Sequence, residues 1–267
     1  MVYKFRMAVI MWFLILERKI AMVVNKMILG VALCLAVAAC GGGGGSDGDF
    51  SGGTGGAGGP GGVEQYWPPQ PKVGSQWSVK TDYTQFDGQT GSDTDPYKIT
   101  KVNPDNSYVA QFYSDWVYYK AGDQYYGWVN STEDGRECWQ EQSPATIFPL
   151  FVGKKLNGTI TETCKYGNSG MPNESITSAY SLEVLGVETL TIAGKQLKTV
   201  KTSETTTVTQ VSSGDIWLQV GDRESQTRWW SPELGIYVKA VTNYTIAKPS
   251  SDDDKTVVET VTDFSGF

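Results

Sequence analysis

The chain has 267 residues, 22 basic and 29 acidic, with a formal net charge of −7. No basic stripe interrupts that acidic balance, so nucleic acid is excluded as a partner. Histidine is absent, which removes the usual general base, the Ser-His and Cys-His nucleophile pairs and the commonest zinc ligand; neither a metal ion nor an organic cofactor is expected.

The first apolar run, Met7 to Leu16, is followed by Glu17-Arg18-Lys19 and is too short to span a bilayer. This points to Met22 as the true start, the alternative being a long translated n-region. A second apolar run, Met27 to Val37, leads into Val37-Ala38-Ala39-Cys40, and small residues there mark a signal-peptide boundary. The arrangement resembles the lipobox of bacterial lipoproteins, whose cysteine thiol receives a diacylglyceryl group and becomes the new N-terminus. The resemblance implies that residues 1–39 are a signal peptide and that Cys40 is lipidated, palmitate being a typical chain. The partner it implies is the membrane, reached through that N-terminal lipid. Gly41 rather than Asp after the cysteine implies the outer membrane, at its periplasmic face or the cell surface. A secretory signal that leaves a free cysteine is the alternative. Without residues 1–39 the chain keeps 17 basic and 28 acidic residues, a net −11.

Residues 40–71 read as the lipidated cysteine and a tether. Gly41–Gly62 is too poor in apolar side chains to offset its ordering entropy, and its rms reach is roughly 25 Å. Pro68-Pro69-Gln70-Pro71 stiffens its end.

Residues 72–267 read as one all-β domain. Trp77, Val79, Thr81 and Tyr83 alternate with Ser78, Lys80 and Asp82, a strand period. Asp87-Gly88-Gln89 and Gly91-Ser92-Asp93 carry turn chemistry. Hairpins are predicted for Tyr97–Val102 with Ser107–Tyr113 around Asn103-Pro104-Asp105-Asn106, and for Trp116–Lys120 with Tyr125–Val129 around Ala121-Gly122-Asp123. Arg136–Gln142 continues the pattern. Ala145–Val152, broken by Pro149, reads as an edge strand or a connector between lobes. Further strands are predicted at Lys155–Tyr166, Ile176–Leu185, Glu188–Ile192, Leu197–Val211, Ile216–Val220, Glu224–Trp230, Ile236–Ala247 and Thr256–Phe264, with a turn at Ala193-Gly194. No stretch has a capped helical period. The fold expected is a curved antiparallel sheet or half-open barrel, with a β-sandwich as the alternative. Pro71–Trp77 echoes Pro149–Leu156, which makes two related halves a reading to test against coincidence of turn residues.

Cys34 leaves with the signal, so Cys138 and Cys164 remain as an even pair in an exported chain, which reads as a disulfide. Aromatic residues cluster between 113 and 128; Trp116, Tyr118, Tyr126 and Trp128 are the candidate ligand-facing rings, against the alternative of cross-strand core packing. Asp115, Asp123, Glu137 and Glu141 are the carboxylates in aromatic surroundings that a glycan hydrolase would draw on, against the reading of solvated strand faces. Asp93-Thr94-Asp95 and Asp252-Asp253-Asp254 lack the spacing of a calcium loop.

Glu188–Lys201, with its Ala-Gly turn, and Thr227–Lys239, with an aromatic pair before a proline turn, resemble segments of uncharacterised bacterial envelope proteins of the DUF3108 or TapB-like type, as does the Pro71–Trp77 opening. The resemblance implies a curved antiparallel sheet and transfers no catalytic residue. The function expected is that of a lipid-anchored, non-enzymatic envelope protein that binds or scaffolds, its ligand a lipid or a glycan. A glycan-binding module with exposed aromatics and a carboxylate-based glycan hydrolase are the alternatives.

Overall fold

The computed structural model describes residues 62–267 except 123, 130–135, 143–146, 168–172, 213–217 and 252. The expected signal segment, Cys40 and nearly all of the glycine tract lie outside the described residues. Twelve strands follow one another: β1 (Gln76–Gln85), β2 (Thr90–Val102), β3 (Tyr108–Phe112), β4 (Asp115–Lys120), β5 (Gln124–Val129), β6 (Arg136–Gln142), β7 (Lys155–Tyr166), β8 (Glu174–Ile192), β9 (Lys195–Ser212), β10 (Arg223–Trp230), β11 (Tyr237–Thr245) and β12 (Asp254–Ser265). Each pairs antiparallel with its neighbours, and β12 pairs back on β1, so the sheet closes into a barrel. The all-β antiparallel expectation holds. Closure goes beyond a half-open barrel and rules out the sandwich. Among the described residues it also leaves no free sheet edge to pair with another chain.

The period of two builds the wall. Along β4, Asp115, Val117 and Tyr119 are buried, while Trp116, Tyr118 and Lys120 are half-exposed. The outer surface carries the ion pairs Lys80–Asp82, Lys155–Glu183 and Lys201–Glu188. A lipid-facing barrel presents an apolar outer band instead; this wall is built to face water.

Ala145–Val152 is not an edge strand; it joins β6 to β7. Its described part lies across one mouth of the barrel. Ile147 and Leu150 are fully buried, and Phe148 packs between Gly122 of the β4–β5 turn and the ring of Trp230, 4.9 Å away. Tyr66 and Leu150 exchange two backbone hydrogen bonds, at 2.8 and 2.9 Å. The Lys154 ammonium donates to the carbonyls of Ile147 and Pro149, and the Phe148–Pro149 peptide is cis. These rings and branched chains join Leu182, Val184, Val200 and Tyr237 in one apolar cluster, each large side chain contributing about 1.5–3 kcal/mol by burial. Apolar residues too few to make a strand thus act as a stopper. Packing against the barrel therefore reaches back before residue 72: Glu64 pairs with Lys198 at 2.6 Å, and Lys198 also sits 4.8 Å over the Tyr66 ring.

Three turn and strand assignments change. Gly91-Ser92-Asp93 lies inside β2, because the turn is made earlier, at Gly88, whose φ is 88° and whose N–H donates to Gln85. Asp93-Thr94-Asp95 is therefore strand as well. Ile176–Leu185 and Glu188–Ile192 are one strand, β8, carried past Gly186 by a register shift against β9. In the predicted strand Ile216–Val220, residues 216 and 217 lie outside the described residues, and Leu218–Val220 runs in a loop that turns at Gly221.

Candidate functional site

The four rings singled out from sequence do not share a face. Trp128 is 3% exposed and points inward, on the strand position opposite Cys138. Trp116 and Tyr118 point outward from β4. The side chain of Tyr126 lies outside the described residues. Strand parity made this split unavoidable, since Val117 and Trp128 are cross-strand partners and so are Trp116 and Val129.

The outward rings acquire a partner that the sequence reading passed over. Trp139 packs on Tyr118 with ring centroids 4.8 Å apart. Its ring covers the position where Gly127 would carry a Cβ, so this glycine makes room for the indole. The indole N–H of Trp139 reaches the Glu137 carboxylate at 3.4 Å. Parity was the available signal: with Cys138 inside, Trp139 must be outside.

Beside this ledge an open groove of about 380 Å³ crosses β12, β1, β2 and β3. It is lined by Gln76, Ser78, Lys98, Gln111, Tyr113 and Asp263, over Trp77 and Tyr97, whose rings stack at 5.2 Å. Tyr113 is 58% exposed and held at a φ of 49°, in the left-handed region. Its hydroxyl donates to the Thr94 carbonyl at 3.2 Å, its ring stands edge-on to Phe112, and Gln111 donates to its carbonyl at 2.9 Å. Partial burial and the nearby Asp95 and Asp93 carboxylates push its phenol pKa up.

Inside the barrel, Cys138 and Cys164 are directly opposite on β6 and β7 and form the expected disulfide. Glu162 lies within reach of both sulfurs. With the sulfurs joined, that trio offers one carboxylate and no thiolate. Burial raises the Glu162 carboxyl to a pKa of about 7, against the opposing pull of Arg136 and Tyr125. Further round the wall, Glu204, 1% exposed, faces Arg228 at 3.5 Å and accepts from Thr202 at 2.9 Å. The Arg228 guanidinium stacks 3.4 Å over the Tyr237 ring. Burial also pushes the carboxyls of Glu204 and Glu224 up, with Arg228 acting against it. These interior acids were legible only by parity. Glu162 shares the inward face with Ile160 and Cys164, and Glu224 shares the face of Trp230.

The two described carboxylates considered for hydrolysis, Asp115 and Glu137, lie on opposite faces of the wall. Asp115 is buried and Glu137 is exposed on the outer surface; Asp123 and the side chain of Glu141 lie outside the described residues. The open groove contains one acid, Asp263.

No family model matches the chain, and no curated protein matches it. Among solved structures, the hypothetical lipoprotein YmcC from Escherichia coli aligns with a TM-score of 0.38 at 13% identity, over 68% of this chain and 85% of that one. A candidate lipoprotein from Parabacteroides distasonis gives 0.39 at 10% identity, over 75% and 99%. A candidate exported protein with a YmcC-like fold from Bacteroides fragilis gives 0.38 at 8%, over 76% and 100%. Likeness at that level assigns no activity.

Proposed function

We propose that this chain is a lipid-anchored, non-enzymatic binding protein of the bacterial cell envelope, holding a rigid barrel off the outer membrane on a flexible tether. The observation that carries this reading is the distribution of chemistry between the two faces of the wall. At one mouth the interior is packed with Ile147, Phe148 and Leu150, while an accessible groove and the aromatic ledge lie on the outside among the described residues. Hydrolysis by two carboxylates requires both to face one substrate, at about 5–10 Å from each other; among the described residues that line the groove Asp263 is the one acid, with Asp95 and Asp93 near the Tyr113 phenol at its side. The Cys138–Cys164 disulfide fits an oxidising compartment. The polar wall fits a domain standing in water beside a membrane. Acylation at Cys40 with two or three chains, at about 0.8 kcal/mol per buried CH₂, makes such attachment stable where one chain is marginal.

Metabolic labelling with a radiolabelled fatty acid tests the anchor. The expected outcome is labelled protein in the outer-membrane fraction, with label and cleavage both lost in Cys40→Ser. Label retained in Cys40→Ser, or unlabelled wild type in the soluble fraction, overturns it.

A further inference from the structure

We infer that the stoppered end of the barrel is a membrane-contact face, which rests on the phospholipid leaflet that holds the anchor. This goes further than the reading above, and rests on its anchor, by naming the end of the barrel that meets lipid and the side chains that touch it. Eight large apolar side chains are exposed among the described residues. Tyr113 and Val220 lie at the far mouth, in the β3–β4 and β9–β10 connections. The other six, Val63, Trp67, Val73, Val152, Leu185 and Val187, gather at the stoppered end. Val73 and Val152 precede β1 and β7, whose starts share one rim because the strands alternate in direction. Those strands lie six places apart in a ring of twelve, so the two valines flank the mouth from opposite sides. Leu185 and Val187 lie on β8 past Glu183, the partner of the first residue of β7, and Val184 is bonded to the turn that holds Val152. Val63 and Trp67 belong to the segment that Tyr66 pins to Leu150 of the stopper. Tyr66 is turned into the apolar cluster, and Trp67 beside it stands 60% exposed. Apolar side chains scattered singly over a surface need no explanation; six collected at one end do.

The occupant follows from where the chain goes. Residues 40–61 lead from the anchor to Gly62, the first described residue, and Glu64 and Tyr66 are held at this end by Lys198 and Leu150. The lipid is thus tied to the end that carries the apolar side chains, within the tether's rms reach of roughly 25 Å. Over so short a range, contacts too weak to dock a free protein are enough to hold a tethered one. Tryptophan suits the boundary between headgroups and acyl chains, and the valines around Trp67 can enter the same layer. Charge permits the approach. The whole chain is acidic, yet at this end Glu64, Glu183 and Glu188 are taken up by Lys198, Lys155 and Lys201. On the turns of this end and their flanks, the exposed charges left among the described residues are Lys72, Lys101 and Lys195 against Asp105 and Glu233. That balance does not repel an anionic leaflet. The wall itself, with its outward ion pairs, stays in water.

The test inserts the mature lipoprotein from detergent into preformed vesicles of phosphatidylethanolamine and phosphatidylglycerol. Three variants, Val73→Cys, Val152→Cys and, at the far mouth, Ser251→Cys, each carry a fluorescent dye on the new thiol; Cys40 is acylated and Cys138 and Cys164 are bonded, so no other thiol reacts. All three positions are exposed, and none supports the core. A phospholipid with a nitroxide on its headgroup reads contact by quenching. Emission should be lost at positions 73 and 152 when this lipid replaces the unlabelled one, and retained at 251. Trp67→Ala, an exposed change that leaves the stopper in place, should reduce the loss at both sites. Co-flotation with the vesicles reads the anchor separately. Protein that floats with no loss at either or both of 73 and 152, or with an equal loss at 251, overturns the inference and leaves the anchor standing. Emission that shifts at 73 and 152 with protein density but without nitroxide quenching assigns the face to a second copy of the chain and overturns it too. Protein that does not float removes the anchor, and this inference with it.

Discussion

Gly74 and Gly153 occupy equivalent places in two matching turns on the same rim of the barrel, one opening β1 and the other β7. Their φ angles are 94° and 86°. The Gly74 N–H donates to Ile99 while Ile99 donates back to Ser75; the Gly153 N–H donates to Val184 while Val184 donates back to Lys154. Each turn also closes on itself, Ser75 donating to Lys72 and Lys154 to Phe151. A Cβ at either glycine meets nothing within 4 Å, so substitution costs backbone strain and nothing else. Gly74→Ala and Gly153→Ala should each destabilise the barrel by about 1–2 kcal/mol. The check is whether the two denaturation midpoints fall together; a fall at one site only would break the equivalence.

Gly235 makes a harsher case. It closes the β10–β11 turn, donating to the Ser231 carbonyl at 2.8 Å with a φ of 72°. A Cβ there would stand 2.9 Å from Cγ of Pro69. Strain and collision add, so Gly235→Val should cost about 2–4 kcal/mol. Removing the proline ring in the double variant Gly235→Val, Pro69→Ala should recover part of that loss. A double-mutant cycle with no coupling would show that Pro69 does not press on the turn.

The matching turns explain why the sequence echo between Pro71–Trp77 and Pro149–Leu156 was legible at all: a positive-φ glycine before a strand leaves a mark in the chain. Each is followed by six strands of the closed barrel, β1–β6 and β7–β12, the arrangement expected of two related halves. Most strands were legible for a similar reason, since alternation at Trp77–Tyr83 or Arg136–Gln142 reports one buried face. Closure was not, because nothing local in β1 or β12 encodes that they will meet. The stopper was misread because Ile147 to Leu150 is apolar without alternating, a pattern that an edge strand and a packed loop share. For the candidate site, Trp116 and Tyr118 were legible as outward rings, but Trp139 and Tyr113 depended on which neighbours the register supplied.

The disulfide lies inside the wall, Cys138 fully buried and Cys164 2% exposed. Reductant should reach it only when the barrel opens, so the native protein should resist alkylation after brief treatment with dithiothreitol and lose that resistance in denaturant. Closing a loop with a sequence separation of 26 contributes about 3.5 kcal/mol in the chain-entropy model. The double variant Cys138→Ser, Cys164→Ser should therefore lower the Tm by on the order of 10 °C. Intact-mass analysis of protein from the periplasm should show two fewer hydrogens than the reduced form; two free thiols there would refute the bond.

Glu162 is one of three buried acids whose raised pKa makes stability depend on pH. Its folded pKa is about 7 against an ordinary value of 4.5, with burial as the cause and Arg136 and Tyr125 opposing it. Because the folded value is the higher one, the native state binds more protons between those two limits, and stability falls as pH rises through that window. Below pH 4.5 this group adds no penalty; above pH 7 the full penalty of an ionised buried carboxyl is present. The shift corresponds to a few kcal/mol at most, on the scale of about 1.4 kcal/mol per pKa unit. Glu162→Gln keeps the shape and cannot ionise. Its unfolding free energy should exceed the wild-type value at pH 8 by about 2–3 kcal/mol and converge with it near pH 4.5, which urea melts across that range will read. Parallel curves for the two proteins would mean that Glu162 stays ionised in the folded barrel, held there by Arg136.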